Sequence, residues 1–138
     1  MRFVAMVKAT KESESGVMPT EQELAEMGAY NEELVKNGVM LAGEGFHPSS
    51  SGVRIQYGAG TPTVVNGPFA ATGELVSGFW IIQTQSLDEA VEWLKRAPFR
   101  DGEVEIRQIF EAEDFGDEFT PELREQEERL RAQVAKNR

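Results

Sequence analysis

The sequence predicts an α+β domain of the split βαβ, ferredoxin-like kind, carrying an inserted hairpin and a C-terminal helix. Three observations predict it. Short apolar runs alternate with amphipathic stretches of helical period in the order β-α-β, hairpin, β-α-β. Each amphipathic stretch opens on a capping signature, Thr20-Glu21-Gln22-Glu23 and Ser86-Leu87-Asp88-Glu89, in which hydroxyl and carboxylate satisfy the orphan amides of a helix start. Finally, Gly78-Phe79-Trp80-Ile81-Ile82-Gln83-Thr84 is apolar on both alternating faces, as a strand covered on both sides requires.

Phe3 to Val7 reads as the first strand, bounded by Arg2 and Lys8, and Thr10 to Pro19 as a polar loop. Leu24, Met27, Leu34 and Val35 give the first helix an apolar stripe, and Gly38 is placed to end it in a left-handed conformation. Val39 to Phe46 reads as the second strand, with Gly43 and Gly45 marking a bulge or a close backbone approach. Val53 to Tyr57 alternates cleanly, Gly58 to Pro62 breaks it, and Thr63-Val64-Val65 completes a hairpin beside the main sheet. After the Gly78–Thr84 strand, Leu87, Ala90, Val91 and Leu94 line a second helix that Pro98 stops, and Val104 to Phe110 is the last strand.

Residues 1–110 thus form the domain, and 111–138 an acidic connector followed by a helix that starts at Thr120-Pro121 and runs to about Lys136. Glu125 with Arg129 and Glu127 with Arg131 fall at stabilising i,i+4 spacing along it. Its few apolar residues, Leu123, Leu130 and Val134, suit either light packing on a partner subunit or a solvated arm.

With both helices on one sheet face, the other face is left open although its strands carry bulky apolar side chains. Covering them at ~25 cal/mol per Å² favours self-association, so a homodimer with two sheets face to face is expected. The 138 residues carry 24 acidic against 14 basic side chains, a net charge of −10 that repels phosphate backbones, so no nucleic-acid partner is expected. Cys is absent, which removes thiolate chemistry and disulfides and suits a reducing, cytoplasmic setting. No stretch approaches the ~20 apolar residues of a membrane span, so no membrane partner is expected.

The stretch Asn66-Gly67-Pro68-Phe69-Ala70-Ala71-Thr72-Gly73-Glu74 resembles the Asp-Gly-Pro-Phe signature of the DGPF branch of the YCII-related proteins, and the order of elements agrees from Met1 to about Ile109. The resemblance implies a dimeric α+β barrel. Where that branch commonly has Asp, Glu and Lys, this chain has Asn66, Ala71 and Gly73: the turn-shaping residues are kept and the ionisable ones thinned. Some members resemble small enzymes that use a His and Asp pair, but the early His has no counterpart between Thr10 and Tyr30 here. DGPF proteins are also similar to ones associated with alternative sigma factors, which implies an accessory or regulatory alternative acting through a protein partner at the C-terminal helix.

His47, the single imidazole, is the candidate for acid/base work near neutral pH, against the plainer reading of a strand-end surface histidine. Tyr30, Asn31, Glu44, Arg54, Asn66, Phe69 and Arg107 are the candidate ligand-binding residues: polar groups able to face a cleft between helix and sheet, with Phe69 from the turn. The two arginines would suit an acidic or carbonyl-bearing small molecule and would stabilise a developing oxyanion. Against this stands the plainer reading, in which Arg107 pairs with Glu105 on the same strand face. No metal site and no tightly bound cofactor are expected, since one His and no Cys leave only carboxylates; in a haem-binding barrel, the rival with a cofactor, His47 would be the sole histidine ligand.

Overall fold

A computed structural model describes residues 1–70 and 72–137 of the chain. They form two compact units, Met1–Gln108 and Ile109–Arg138. In the first unit the strands are β1 (Arg2–Lys8), β2 (Met40–Gly45), β3 (Val53–Gln56), β4 (Thr63–Asn66), β5 (Val76–Gln83) and β6 (Val104–Gln108). The helices are α1 (Lys11–Glu14), α2 (Glu21–Lys36) and α3 (Leu87–Lys95). A 4-stranded sheet has the order β2-β5-β1-β6, all neighbours antiparallel, and β3 with β4 makes a separate 2-stranded sheet. This is the split βαβ order that the sequence predicts, with the hairpin outside the main sheet.

Local chemistry accounts for the helix ends. Thr20 Oγ1 accepts from Glu23 N at 3.1 Å while Glu23 Oε1 accepts from Thr20 N at 3.2 Å, the full reciprocal cap. The second signature closes only half as expected: Ser86 Oγ accepts from Glu89 N, but the Glu89 carboxylate takes the amide of Gln85, one residue earlier. Gly38, at φ +69°, ends α2, and Val39 N returns to Leu34 O at 2.8 Å.

The stretch 11–14, expected as loop, is a single helical turn. Thr10 and Ser13 exchange side-chain bonds, Ser13 N to Thr10 Oγ1 at 3.1 Å and Thr10 N to Ser13 Oγ at 2.8 Å, so short polar residues cap a turn that has no apolar periodicity to announce it. The second strand also differs in detail. Its register shift falls between Met40 and Ala42 instead of at Gly43 or Gly45.

The core fills the sheet face under α2 and α3: Phe3, Ala5, Trp80 and Ile82 from the sheet meet Tyr30 and Leu34 of α2 and Ala90 of α3. Alternate residues point the other way. Val4 lies opposite Ile81 and Met6 opposite Phe79, so these four half-buried apolar side chains share the outer face. Glu105 and Arg107 sit beside them on β6, opposite Met6 and Val4.

The second unit contains α4 (Pro121–Lys136), whose N-cap Thr120 accepts from Leu123 N. Ahead of it, Phe115 stacks on Phe110 at 5.1 Å between ring centroids and meets Phe119 at a tilt, 5.3 Å away. The Arg124 guanidinium lies over Phe119 and donates to the Phe119 and Ala112 carbonyls. Of the expected ion pairs on this helix Glu127 with Arg131 closes at 3.0 Å, and Glu125 with Arg129 does not among the described residues. No helix among the described residues is long and apolar enough to cross a membrane.

Candidate functional site

A cleft of about 800 Å³ opens between the segment 10–19, α2, the C-terminal end of β2 and the start of β5. It gathers Asn31, Glu44 and His47 of the residues singled out from the sequence. Asn31 is placed by the core: its Oδ1 accepts from the indole Nε1 of Trp80 at 3.0 Å, and its amide nitrogen has no partner among the described residues. Trp80 in turn lies against the bare backbone of Gly43, where an added Cβ would come within 2.9 Å of the indole Cδ1. The close approach expected near Gly43 is therefore that of the cleft's own tryptophan. Glu44 and His47 are exposed and make no hydrogen bond to each other among the described residues.

The remaining candidates lie elsewhere. Tyr30 is a core residue, 7% exposed, with its ring edge-on to Trp80 and its hydroxyl donating to Trp93 O at 2.7 Å. Burial pushes its pKa up to about 12, partly offset by nearby Arg96, so it stays a protonated donor held by the protein. Its phase gives the reason: Met27, Tyr30 and Leu34 lie on one helical stripe, whereas Asn31 sits one residue round, at the margin.

Arg54, on β3, places its guanidinium 3.9 Å from the ring centroid of Phe69, and the pair is not part of the cleft lining. Asn66 is exposed at the end of β4. Arg107 donates from Nε to Glu105 Oε2 at 2.7 Å, and Lys8 joins the same carboxylate at 3.2 Å. These partners, Arg107 first, hold the Glu105 carboxyl below its ordinary range. Since neither arginine reaches the cleft, an anionic ligand held by them loses its structural basis. Arg107 pairs across its own strand, the plainer of the two readings.

Sequence reasoning missed Ser49, which joins three segments. It opens a short 3₁₀ turn, Ser49–Ser51, right after the cleft residues His47 and Pro48. Its amide and hydroxyl both donate to the Glu14 carboxylate, at 3.0 and 2.5 Å, and its Oγ accepts from Phe69 N at 3.0 Å. Gly67 N donates to Gly52 O, also at 3.0 Å, and the Gly67–Pro68 bond is cis. The Gly67-Pro68-Phe69 turn is thus docked on the Ser49 turn, and Glu14 clamps that turn from α1. Ala71 lies outside the described residues. Nothing in the local pattern of Ser49-Ser50-Ser51 announces this junction, because both partners are distant in sequence.

Residues 1–113 match the model of the YCII-related domain. The chain belongs to the YCII-related family. An uncharacterized protein of Rhizobium meliloti (strain 1021) is 29% identical to it over 92 residues, which span 64% of this chain and 74% of that protein. The solved structure of a 5-chloro-2-hydroxyhydroquinone dehydrochlorinase from Burkholderia phenoliruptrix AC1100, in complex with 2,5-dihydroxybenzoquinone, is similar at a TM-score of 0.46 and 18% identity, covering 80% of this chain and 94% of that one.

In this YCII-related chain the cleft offers an imidazole, an amide donor and carboxylates against aromatic walls, the means to orient a small molecule and move a proton. No group of three or more His, Asp or Glu among the described residues is placed to hold a metal ion. The Ser49 clamp carries a pH signature. The Ser49 hydroxyl, then the Ser49 amide, holds the Glu14 carboxyl below its ordinary value of 4.5. A depressed folded-state value means stability that is present above the unfolded value and lost as pH falls through the folded one. Thermal unfolding followed from pH 6 down to pH 3 is expected to show a steeper loss in the wild type than in Glu14→Gln, which lacks the titrating clamp. Parallel curves would remove Glu14 from the acid response.

Proposed function

We propose that this protein is a homodimeric small-molecule-binding protein of the DGPF kind, with His47 as proton donor and acceptor in the cleft. The observation that carries the proposal is the convergence of His47, Glu44 and Asn31 on the lining of a cleft of about 800 Å³ that also includes the packed rings of Trp80 and Phe99, a size and lining typical of sites for small organic ligands. Asn31 takes over the donor role that the sequence assigned to Arg54 and Arg107. The Gly67-Pro68-Phe69 turn serves as scaffold, holding through Ser49 the segment that bears His47.

The homodimer reading is supported by the outer sheet face. Val4, Met6, Phe79 and Ile81 lie together there half-buried, and completing the burial of each contributes a part of the about 1.5–3 kcal/mol that full burial is worth. A second copy of the same face is the self-complementary cover that such a patch favours. Native mass spectrometry of gently purified, untagged protein tests both parts at once. A dimer with a retained small adduct is expected, and Ile81→Glu should give a folded monomer by placing a charge in the face. A wild-type monomer at micromolar concentration would overturn the dimer, and a dimer that takes up no small molecule would remove the binding role.

A second reading rests on a separate observation. Leu123, Leu130 and Val134 of α4 are 44%, 48% and 56% exposed and fall on one helical stripe, the pattern of a helix awaiting a protein groove. It corresponds to an accessory or regulatory protein, associated with alternative sigma factors, that acts through its C-terminal helix.

A further inference from the structure

The cleft has a charge bias that the family resemblance does not predict. Its lining includes Glu12, Glu23 and Glu44 and, among the described residues, no Lys or Arg. The chain around it is itself at −10. Glu12 and Glu44 have no ion-pair partner among the described residues. Glu23 is committed to the Thr20 cap, whose amide and then hydroxyl lower its pKa, with a smaller contribution from Arg100 nearby. Of the aromatic residues on the lining, Trp80 and Phe99 stand together on the core side of the sheet, 6.0 Å apart between centroids.

Carboxylates and aromatic rings around one cavity are the two features that attract an ammonium group, the first by charge and the second by the quadrupole of the rings. The same lining repels a carboxylate or phosphate and, among the described residues, offers it no Lys or Arg. We infer that the cleft selects an organic cation: an ammonium-bearing molecule with an aromatic or branched apolar body. This rests on the cleft being the binding site, and it adds the ligand's charge class.

A matched set of probes separates the two ideas: phenethylamine as the cation, 2-phenylethanol as the neutral isostere and phenylacetate as the anion. Each is titrated into the full chain at pH 7.5 and low ionic strength, and the indole N–H signal of Trp80 is followed by NMR, with that of Trp93 as the internal reference. Phenethylamine is expected to bind at least about tenfold more tightly than phenylacetate, with 2-phenylethanol between. The gap should narrow in 0.5 M NaCl and also in Glu44→Gln. Equal or tighter binding of phenylacetate would overturn the charge class while leaving the cleft as the site. If no probe moves the Trp80 signal at 20 mM, the cleft reading fails and the charge class falls with it. A tenfold preference that Glu44→Gln and Glu12→Gln both leave untouched would show that the selectivity comes from elsewhere, which overturns the inference as well.

Discussion

Trp80→Ala should cost about 3–5 kcal/mol, the range for deleting a buried tryptophan, and should abolish the cleft together with the core. Trp80 is 6% exposed on the central strand β5 and, among the described residues, is the one buried core residue that also lines the cleft. Its ring receives Tyr30 edge-on at 5.8 Å and Phe99 at 6.0 Å, and its Nε1 fixes Asn31. Removal leaves a void beneath Tyr30 and an Asn31 carbonyl without its donor, so cavity and lost hydrogen bond add. Urea unfolding followed by far-UV circular dichroism measures the loss. Trp80→Phe, which keeps part of the ring volume while losing the N–H, should cost markedly less. Trp93→Ala is the control on the other indole: Trp93 is half-buried, and what it gives Tyr30 is its backbone carbonyl, which the substitution keeps. A loss below 1 kcal/mol for Trp80→Ala would mean that β5 does not anchor the core as described.

That prediction could be drafted from the sequence only in part, and the division is physical. The strands and helices α2 and α3 are legible because their signals are local: apolar period, Thr20 and Ser86 as caps, Gly38 and Pro98 as stops. The order β2-β5-β1-β6 follows from that element order, since antiparallel pairing of the split βαβ unit leaves few alternatives. Side-chain destinations were not legible to the same degree. The stripe through Met27 and Leu34 already contained the clue that Tyr30 belongs to the core, yet its hydroxyl made it look like a ligand group. The charge of Arg54 suits a cleft, but its destination depends on where Phe69 is placed by a turn docked on Ser49. The Glu14 to Ser49 contact spans 35 positions and has no periodic signature at all. Contacts of that kind are set by the fold, so the residues that make them are invisible until the fold is known.

The same junction accounts for the part of the Gly-Pro-Phe motif that this chain keeps. A Cβ on Gly67 would sit 1.8 Å from the Ser49 carbonyl oxygen and 2.8 Å from its carbon, a collision with backbone that no rotamer change relieves. At Gly73, in contrast, an added Cβ meets nothing within 4 Å. Gly67→Ala is therefore expected to force the turn off the Ser49 segment, breaking the Gly67 N to Gly52 O and Phe69 N to Ser49 Oγ bonds and freeing Arg54 from the Phe69 ring. The cost should reach about 2–3 kcal/mol or more, the upper range for overpacking. Because the hairpin is a separate sheet, the damage should be local: amides of residues 49–56 and 63–69 lose hydrogen-exchange protection, while those of β1 and β5 keep theirs. Gly73→Ala should leave both sets unchanged, since its added Cβ meets open space. Equal effects of the two substitutions would show that the motif's glycines matter for chain flexibility and not for the contact with Ser49. An intact hairpin in Gly67→Ala would show that the turn and the Ser49 segment do not meet as closely as described. The expected asymmetry between the two glycines makes Gly67 a requirement of packing, and it places the motif's role in holding the His47 segment in position.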